Sequence, residues 1–171
     1  HILPSEALKP ALLPDETDLS VYGGRFAQGG FYTEAQPLCV RPPWYHILTN
    51  GRLSTALSDT SLGYTFADNA RENKLTAWNN DIIADNLSER LLCLNEEQAY
   101  DLVLGSSAFF EAGGARYHSV NRQIESEIFV HIPQEENVKV VDIVLKSGAK
   151  TDRELRLCYV IRPLLAVSEE G

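Results

Sequence analysis

The feature that most constrains this chain is a recurrence of short β-rich runs separated by turn signals. No stretch carries a helical apolar period over three turns. Apolar or alternating runs fall at 31–33, 44–48, 53–57, 90–94, 117–120, 127–132 and 138–145. Between them lie Gly23-Gly24, Gly29-Gly30, Pro42-Pro43, Asn50-Gly51 and Ser147-Gly148. Strands recurring at about ten-residue spacing with such punctuation predict an all-β, antiparallel β-sandwich. Asn50-Gly51 predicts a tight hairpin, because both residues tolerate positive φ. Leu155, Leu157, Tyr159 and Ile161 alternate with Glu154, Arg156 and Arg162, which predicts a strand with one buried face. The Ser, Gly and Thr of 146–152 predict a turn, so 138–145 and 155–161 are expected to pair as a hairpin. Short helices are open options only at 85–90 and 96–100.

The length suits one domain or a piece of a larger one. Residues 1–20 carry Pro4, Pro10 and Pro14 and read as an extended leader; 21–171 reads as the sandwich domain. A hydrophobic fraction of 44% supports a real core. The net charge of −9 excludes a phosphate-neutralising stripe, and with it nucleic acid, and disfavours anionic membrane surfaces. No apolar stretch approaches the ~20 residues a membrane span needs. Cys39, Cys93 and Cys158 show neither CxxC spacing nor an even count, so they read as free thiols in a reducing, cytoplasmic setting. Cys158, inside the apolar run 157–160, is expected to be buried and inert. No signal peptide is visible, and the sequon Asn86-Leu87-Ser88 is read as chance.

Chemistry-bearing residues are sparse outside one stretch. His1, His46, His118 and His131 form no metal-ligand pattern, and His118 and His131 read as strand positions, so no metal site is expected. Ser106-Ser107 lacks a nucleophile elbow. The Gly-Gly pairs are followed by neither GK[ST] nor a helix. Trp44, after two prolines, reads as a core plug. Segment 63–81, GYTFADNARENKLTAWNND, starts as a strand and becomes a long polar loop. Its Asn and Asp side chains are short hydrogen-bonding groups, and Trp78 offers a flat apolar face with one N–H. A carbohydrate site needs these groups, and so does a loop that satisfies only itself.

That stretch resembles the pattern N-x-R-E-N-[RK]-L-T-P-W-x-N-D of glycoside hydrolase family 94, formerly glycosyltransferase family 36. RPPWYHILTN upstream resembles the family's Pro-Trp segment. FVHIPQEENVKVVDIVLKS and RELRLCYVIRPLLAV downstream resemble its later strands, and the order agrees over 20–167. The sequence departs from the pattern at Ala77 for Pro, Phe66 for Trp and Ala166 for Gly. Ala77 removes a φ constraint and is expected to loosen the loop.

The resemblance implies a supersandwich of the galactose-mutarotase-like kind, present only in part, with a helical linker and an (α/α)₆ barrel lying outside this chain. The family's catalytic Asp belongs to that barrel, so no catalytic residue is expected here. Arg71, Glu72, Asn73, Trp78, Asn80 and Asp81 are the candidates for a carbohydrate-binding or domain-interface role. The parent enzyme is expected to be a phosphorylase or hexosyltransferase acting on β-glucosides, leaning to the β-1,2-glucan branch. No cofactor is implied beyond inorganic phosphate as co-substrate. Implied partners are the remaining domains of the parent chain, a β-glucan oligosaccharide and a homodimer mate. The alternative is a stand-alone carbohydrate-binding module without catalysis.

Overall fold

A computed structural model describes residues 22–35, 41–78, 88–95, 98–150 and 152–165. The leader 1–20, Cys39, Asn86 and Ala166 lie outside these residues. No α-helix occurs among the described residues. The strands are β1 (Gly24–Ala27), β2 (Gly30–Thr33), β3 (Tyr45–Thr49), β4 (Leu53–Ser58), β5 (Tyr64–Ala67) and β6 (Glu89–Asn95). They continue with β7 (Gln98–Asp101), β8 (Ser107–Glu111), β9 (Gly114–Asn121), β10 (Ile124–His131), β11 (Val140–Ser147) and β12 (Leu155–Ile161). One six-stranded sheet runs β1-β2-β8-β9-β10-β11; two three-stranded sheets run β12-β6-β7 and β3-β4-β5. The pairings between these strands are antiparallel. The all-β antiparallel reading therefore holds.

The core forms where the three sheets meet. Leu48 and Leu57 come from β3 and β4, Leu91 and Cys93 from β6, and Phe110, Tyr117, Ile128 and Val130 from the large sheet. β10 shows the period of two plainly: Ile124, Ser126, Ile128 and Val130 are buried while the residues between them are not. Each fully buried Leu contributes roughly 1.5–3 kcal/mol relative to exposure. Tyr117 is wholly buried, and its OH donates to the Ser58 carbonyl at 2.9 Å, tying the large sheet to β4.

Turn chemistry explains the hairpins. Between β3 and β4 the central residues are Gly51 and Arg52, and only Gly51 takes positive φ, at 90°. Asn50 acts instead through its side chain, whose Oδ1 accepts from the Arg52 and Leu53 amides. The expectation that Asn50 itself needs positive φ is corrected. Between β9 and β10, Arg122 and Gln123 both take positive φ, and this turn had no sequence signal because neither residue is Gly, Asn or Asp. Arg153 donates to the Arg122 carbonyl and the Gly148 amide to that of Gln123, which brace it.

The expected hairpin of 138–145 with 155–161 does not form. β11 pairs along its full length with β10, from Ile124↔Ser147 to His131↔Val140. The chain then crosses to another sheet, where β12 pairs with β6 from Leu155↔Asn95 to Ile161↔Glu89. Alternation marks a strand but carries no information about which edge it joins. The one buried face expected for 155–161 is also absent: Leu157, Tyr159 and Ile161 are 46%, 42% and 53% exposed. Cys158 is exposed, not buried, because β12 has no sheet packed over that face among the described residues. The helical options also fall in part, since Glu89 and Arg90 open β6 and Gln98–Asp101 is β7. Trp44 is a half-buried margin of the core, edge-on to Phe31 at 4.8 Å, with its indole N–H on the Tyr22 carbonyl.

Candidate functional site

The polar loop starts where β5 ends. Gly63 leads into β5 with φ of +73°, and a Cβ there would lie 1.6 Å from the Ala56 carbonyl oxygen, so only glycine fits. After Ala67 the chain turns sharply: Asp68 takes φ of 54°, and Asn69 Oδ1 accepts from the Arg71 and Glu72 amides. The Asn69 carbonyl takes the Asn73 amide and the Asn73 carbonyl takes that of Ala67. This self-bonded turn holds its own backbone and leaves the Arg71, Glu72 and Asn73 side chains exposed at its apex. Arg71 and Glu72 approach each other only to 4.0 Å, and an exposed pair of this kind contributes about 0–1 kcal/mol.

The return leg runs back along β5. Phe66 bridges Lys74, and the Leu75 and Thr76 amides both donate to the Thr65 carbonyl. Thr76 then bridges Pro163, and the Ala77 amide donates to the Arg162 carbonyl at 2.9 Å. Proline at position 77 would lose this bond, since it has no N–H. The expected loosening by Ala77 is therefore corrected: Ala77 is buried and tied to the segment that follows β12. Trp78 lies beyond it, stacked on Tyr64 at 4.3 Å and 10°. One indole face is thus occupied by the protein itself. Its Nε1 is buried without an acceptor among the described residues. Arg71, Glu72 and Asn73 stand together at the apex, and Trp78 sits at the loop's other end. Asn80 and Asp81 lie outside the described residues.

Beneath the loop is a charged cluster that sequence reading missed. Glu89 Oε1 accepts from Thr65 Oγ1 at 2.5 Å and Thr76 Oγ1 at 2.9 Å. Its Oε2 accepts from Lys139 Nζ at 2.7 Å and the Tyr159 hydroxyl at 2.6 Å. Lys139 Nζ donates also to Thr55 Oγ1 and the Leu62 carbonyl, so its three protons all have acceptors. Burial pushes the Lys139 ammonium below its ordinary value, and the Glu89 carboxylate opposes that shift. Burial, reinforced by Glu89, pushes the Tyr159 hydroxyl up, so it stays a donor. With four donors on its two oxygens, Glu89 has no free lone pair for acid–base chemistry. The cluster is a keystone: it joins β4, β5, β6, β12 and the segment leading into β11. The one available signal was a charge placed at the mouth of an apolar run, Glu89 before 90–94 and Lys139 before 140–145.

On the other side of the loop's first turn lies a shallow notch of about 300 Å³ lined by Arg52, Leu53, Ala67, Asp68 and Asn137. Asn50 Nδ2 donates to the Pro133 and Glu136 carbonyls and to Asn137 Oδ1, which clamps the segment around 133–137 against the β3–β4 turn. The Asp68 amide donates to the Arg52 carbonyl at 2.7 Å, closing the third wall. The histidines expected at strand positions sit there: His118 on β9 meets Glu125 at 3.1 Å, and His131 on β10 meets Asp142 at 3.4 Å. Among the described residues no three or more His, Cys, Asp or Glu are grouped to hold a metal.

These elements define an antiparallel β-sandwich domain with one ordered polar loop and a saturated internal charge cluster. The sequence profile described as "Glycosyl hydrolase 94, supersandwich domain" matches residues 33–170, and the chain belongs to this family, whose enzymes are glycoside phosphorylases. It is also similar to the cyclic beta-(1,2)-glucan synthase NdvB of Rhizobium meliloti (strain 1021), at 23% identity over 163 residues. That match covers 84% of this chain but 6% of the relative, so the chain spans a small fraction of the length of the curated protein it matches.

Proposed function

We propose that this chain is the sandwich domain of a longer glycosyl-transferring enzyme acting on β-glucosides. In this reading it frames the mouth of an active site whose acid lies in the rest of the parent chain, with the apex residues Arg71, Glu72 and Asn73 facing the glucan. Asn80 and Asp81, outside the described residues, stay candidates for the same role on the family resemblance alone. The observation that carries it is β12. This edge strand exposes Leu157, Tyr159, Val160 and Ile161, with Leu165 beyond it 82% exposed. Leu155 packs on the core and Tyr159 reaches in to Glu89, but the apolar surface left exposed on this strand needs a covering layer. The relative's far greater length supports further domains of one polypeptide as the occupant.

The relative's name favours β-1,2-glucan as the sugar. Inorganic phosphate would be co-substrate if the parent is a phosphorylase. Cys93 and Cys158 are free thiols, which suits a cytoplasmic setting.

In this reading the segment alone carries out no phosphorolysis. Inverting transfer needs a carboxylic acid at the leaving oxygen and cations for the phosphate. Purified protein incubated with glucose 1-phosphate and a panel of β-glucosyl acceptors is expected to release no phosphate above blank. Turnover lost on replacing Glu72 or Asp81 would falsify this division of labour. Sedimentation tests the β12 surface: a dimer dissolved by Ile161→Glu would show that a second copy covers it, and the domain-packing part of the reading would fail.

A further inference from the structure

We infer that the notch between Arg52, Asp68 and Asn137 is a subsite for one pyranose unit of a neutral glycan. The inference rests on the carbohydrate reading above for its ligand class. Its geometry stands independently. Arg52 and Asp68 carry opposite charges and line the same notch, yet their side chains make no ion pair or hydrogen bond with each other or any described residue. Both are solvent-exposed, so two opposite charges with no protein partner line one notch and leave room for a group that both donates and accepts.

A hydroxyl does both. A sugar hydroxyl can donate to the Asp68 carboxylate while accepting from the Arg52 guanidinium, whose planar fork spans two neighbouring oxygens. Asn137 adds a third group. Its Oδ1 is already engaged by Asn50, which leaves the Nδ2 protons as donors for a vicinal hydroxyl. Leu53 and Ala67 give the notch a small apolar floor suited to the C–H face of a ring. A volume of about 300 Å³ lies at the lower end of small-molecule pockets, which matches a single ring.

Charge decides between ligand classes. An anion such as phosphate would be drawn by Arg52 and repelled by Asp68 from the same notch, in a chain of net charge −9. A neutral polyol meets no such penalty. The walls need little ordering on binding, because Asn50 bonds both flanking segments and the Asp68 amide holds the Arg52 carbonyl. The notch is shallow and encloses only part of a ring, so dissociation constants on the order of millimolar are expected. It adjoins the turn that carries Arg71, Glu72 and Asn73, so a glycan seated in the notch can extend along the loop apex.

The test is an NMR titration of the labelled chain with sophorose, and separately with cellobiose. Saturable shifts are expected at the Asp68 amide, the Asn137 side-chain amide and Arg52 Nε. Arg52→Ala and Asp68→Asn should each weaken binding at least five-fold while the rest of the spectrum is unchanged; Asn is chosen because it tolerates the positive φ at 68. Shifts confined to 71–78 would overturn the notch while leaving the glucan-facing loop intact. Shifts that neither substitution alters would sink it too, as would inorganic phosphate or glycine binding there more tightly than either sugar. No response to either disaccharide at 50-fold above the expected range would remove both the notch and the sugar-facing loop.

Discussion

β4 and β12 invert what their compositions suggest. β4, Leu53–Ser58, reads LSTALS, half hydroxyl-bearing, and every residue in it is buried. β12, Leu155–Ile161, reads LRLCYVI, and no residue in it is buried. β4 lies between β3 and β5, and its hydroxyls have partners: Ser54 on Thr49, Thr55 on the Tyr64 carbonyl, and Ser58 taking the Thr60 and Ser61 amides. Buried polar groups cost little once bonded. β12 pairs on one edge only and is anchored inward chiefly through Tyr159. Hydropathy therefore indexes what a strand could pack against, while position in the sheet decides whether anything does.

The Glu89–Lys139 cluster touches both strands, through Thr55 on one and Tyr159 on the other, so it is the sharpest place to break the contrast. Lys139→Met leaves a carboxylate buried among hydroxyls with no cation. Urea unfolding should show a loss of about 3–5 kcal/mol, the range for one-sided removal from a buried pair. A loss below ~1 kcal/mol would mean that the four donors on Glu89 suffice without the charge.

Paired truncations measure the contrast itself. Leu57→Ala, at a wholly buried β4 site, should cost about 2–5 kcal/mol through lost burial and a residual cavity. Leu157→Ala on β12 should change stability by less than ~0.5 kcal/mol in this chain. Equal losses would show that β12 is covered in solution, by a second copy or by residues outside the described segments.

The smallest effect is one of pH. His46 on β3 stacks on Phe110 at 5.3 Å and its Nε2 lies 2.9 Å from the Glu111 carbonyl. Burial holds its imidazole below the ordinary 6.5, against the raising influence of Glu111. The folded protein thus binds fewer protons than the unfolded chain just below pH 6.5. Stability should fall as pH drops from that value through the folded-state pKa, and level off beneath it. Melting followed from about pH 7 to 5 should show this slope, reduced in His46→Gln. An unchanged slope would assign the pH dependence to the carboxylates.

Much of the fold was legible because local rules carry it. Period-two alternation located β9, β10, β11 and β12, and Asn50-Gly51 located the β3–β4 hairpin to within one residue. The polar loop was legible as a motif, and its geometry follows from Asn69 capping its own turn. The keystone was not legible: Glu89 and Lys139 are fifty positions apart and ordinary in their local context. The notch was equally hidden, since Arg52, Asp68 and Asn137 come from three separate segments, and only Asp68 falls within the polar motif.

By itself the sequence determined the all-β class and the family motif in 63–81. Each depends on residue type and spacing along the chain. The tertiary structure alone decided that β11 joins β10 while β12 crosses to β6, that polar β4 is interior and apolar β12 is bare, and that the charges at 89 and 139 meet. Those outcomes depend on which edges and faces come together across long separations. A strand's alternation is the same whichever neighbour supplies its hydrogen bonds, so the pattern that reveals a strand cannot name its partner.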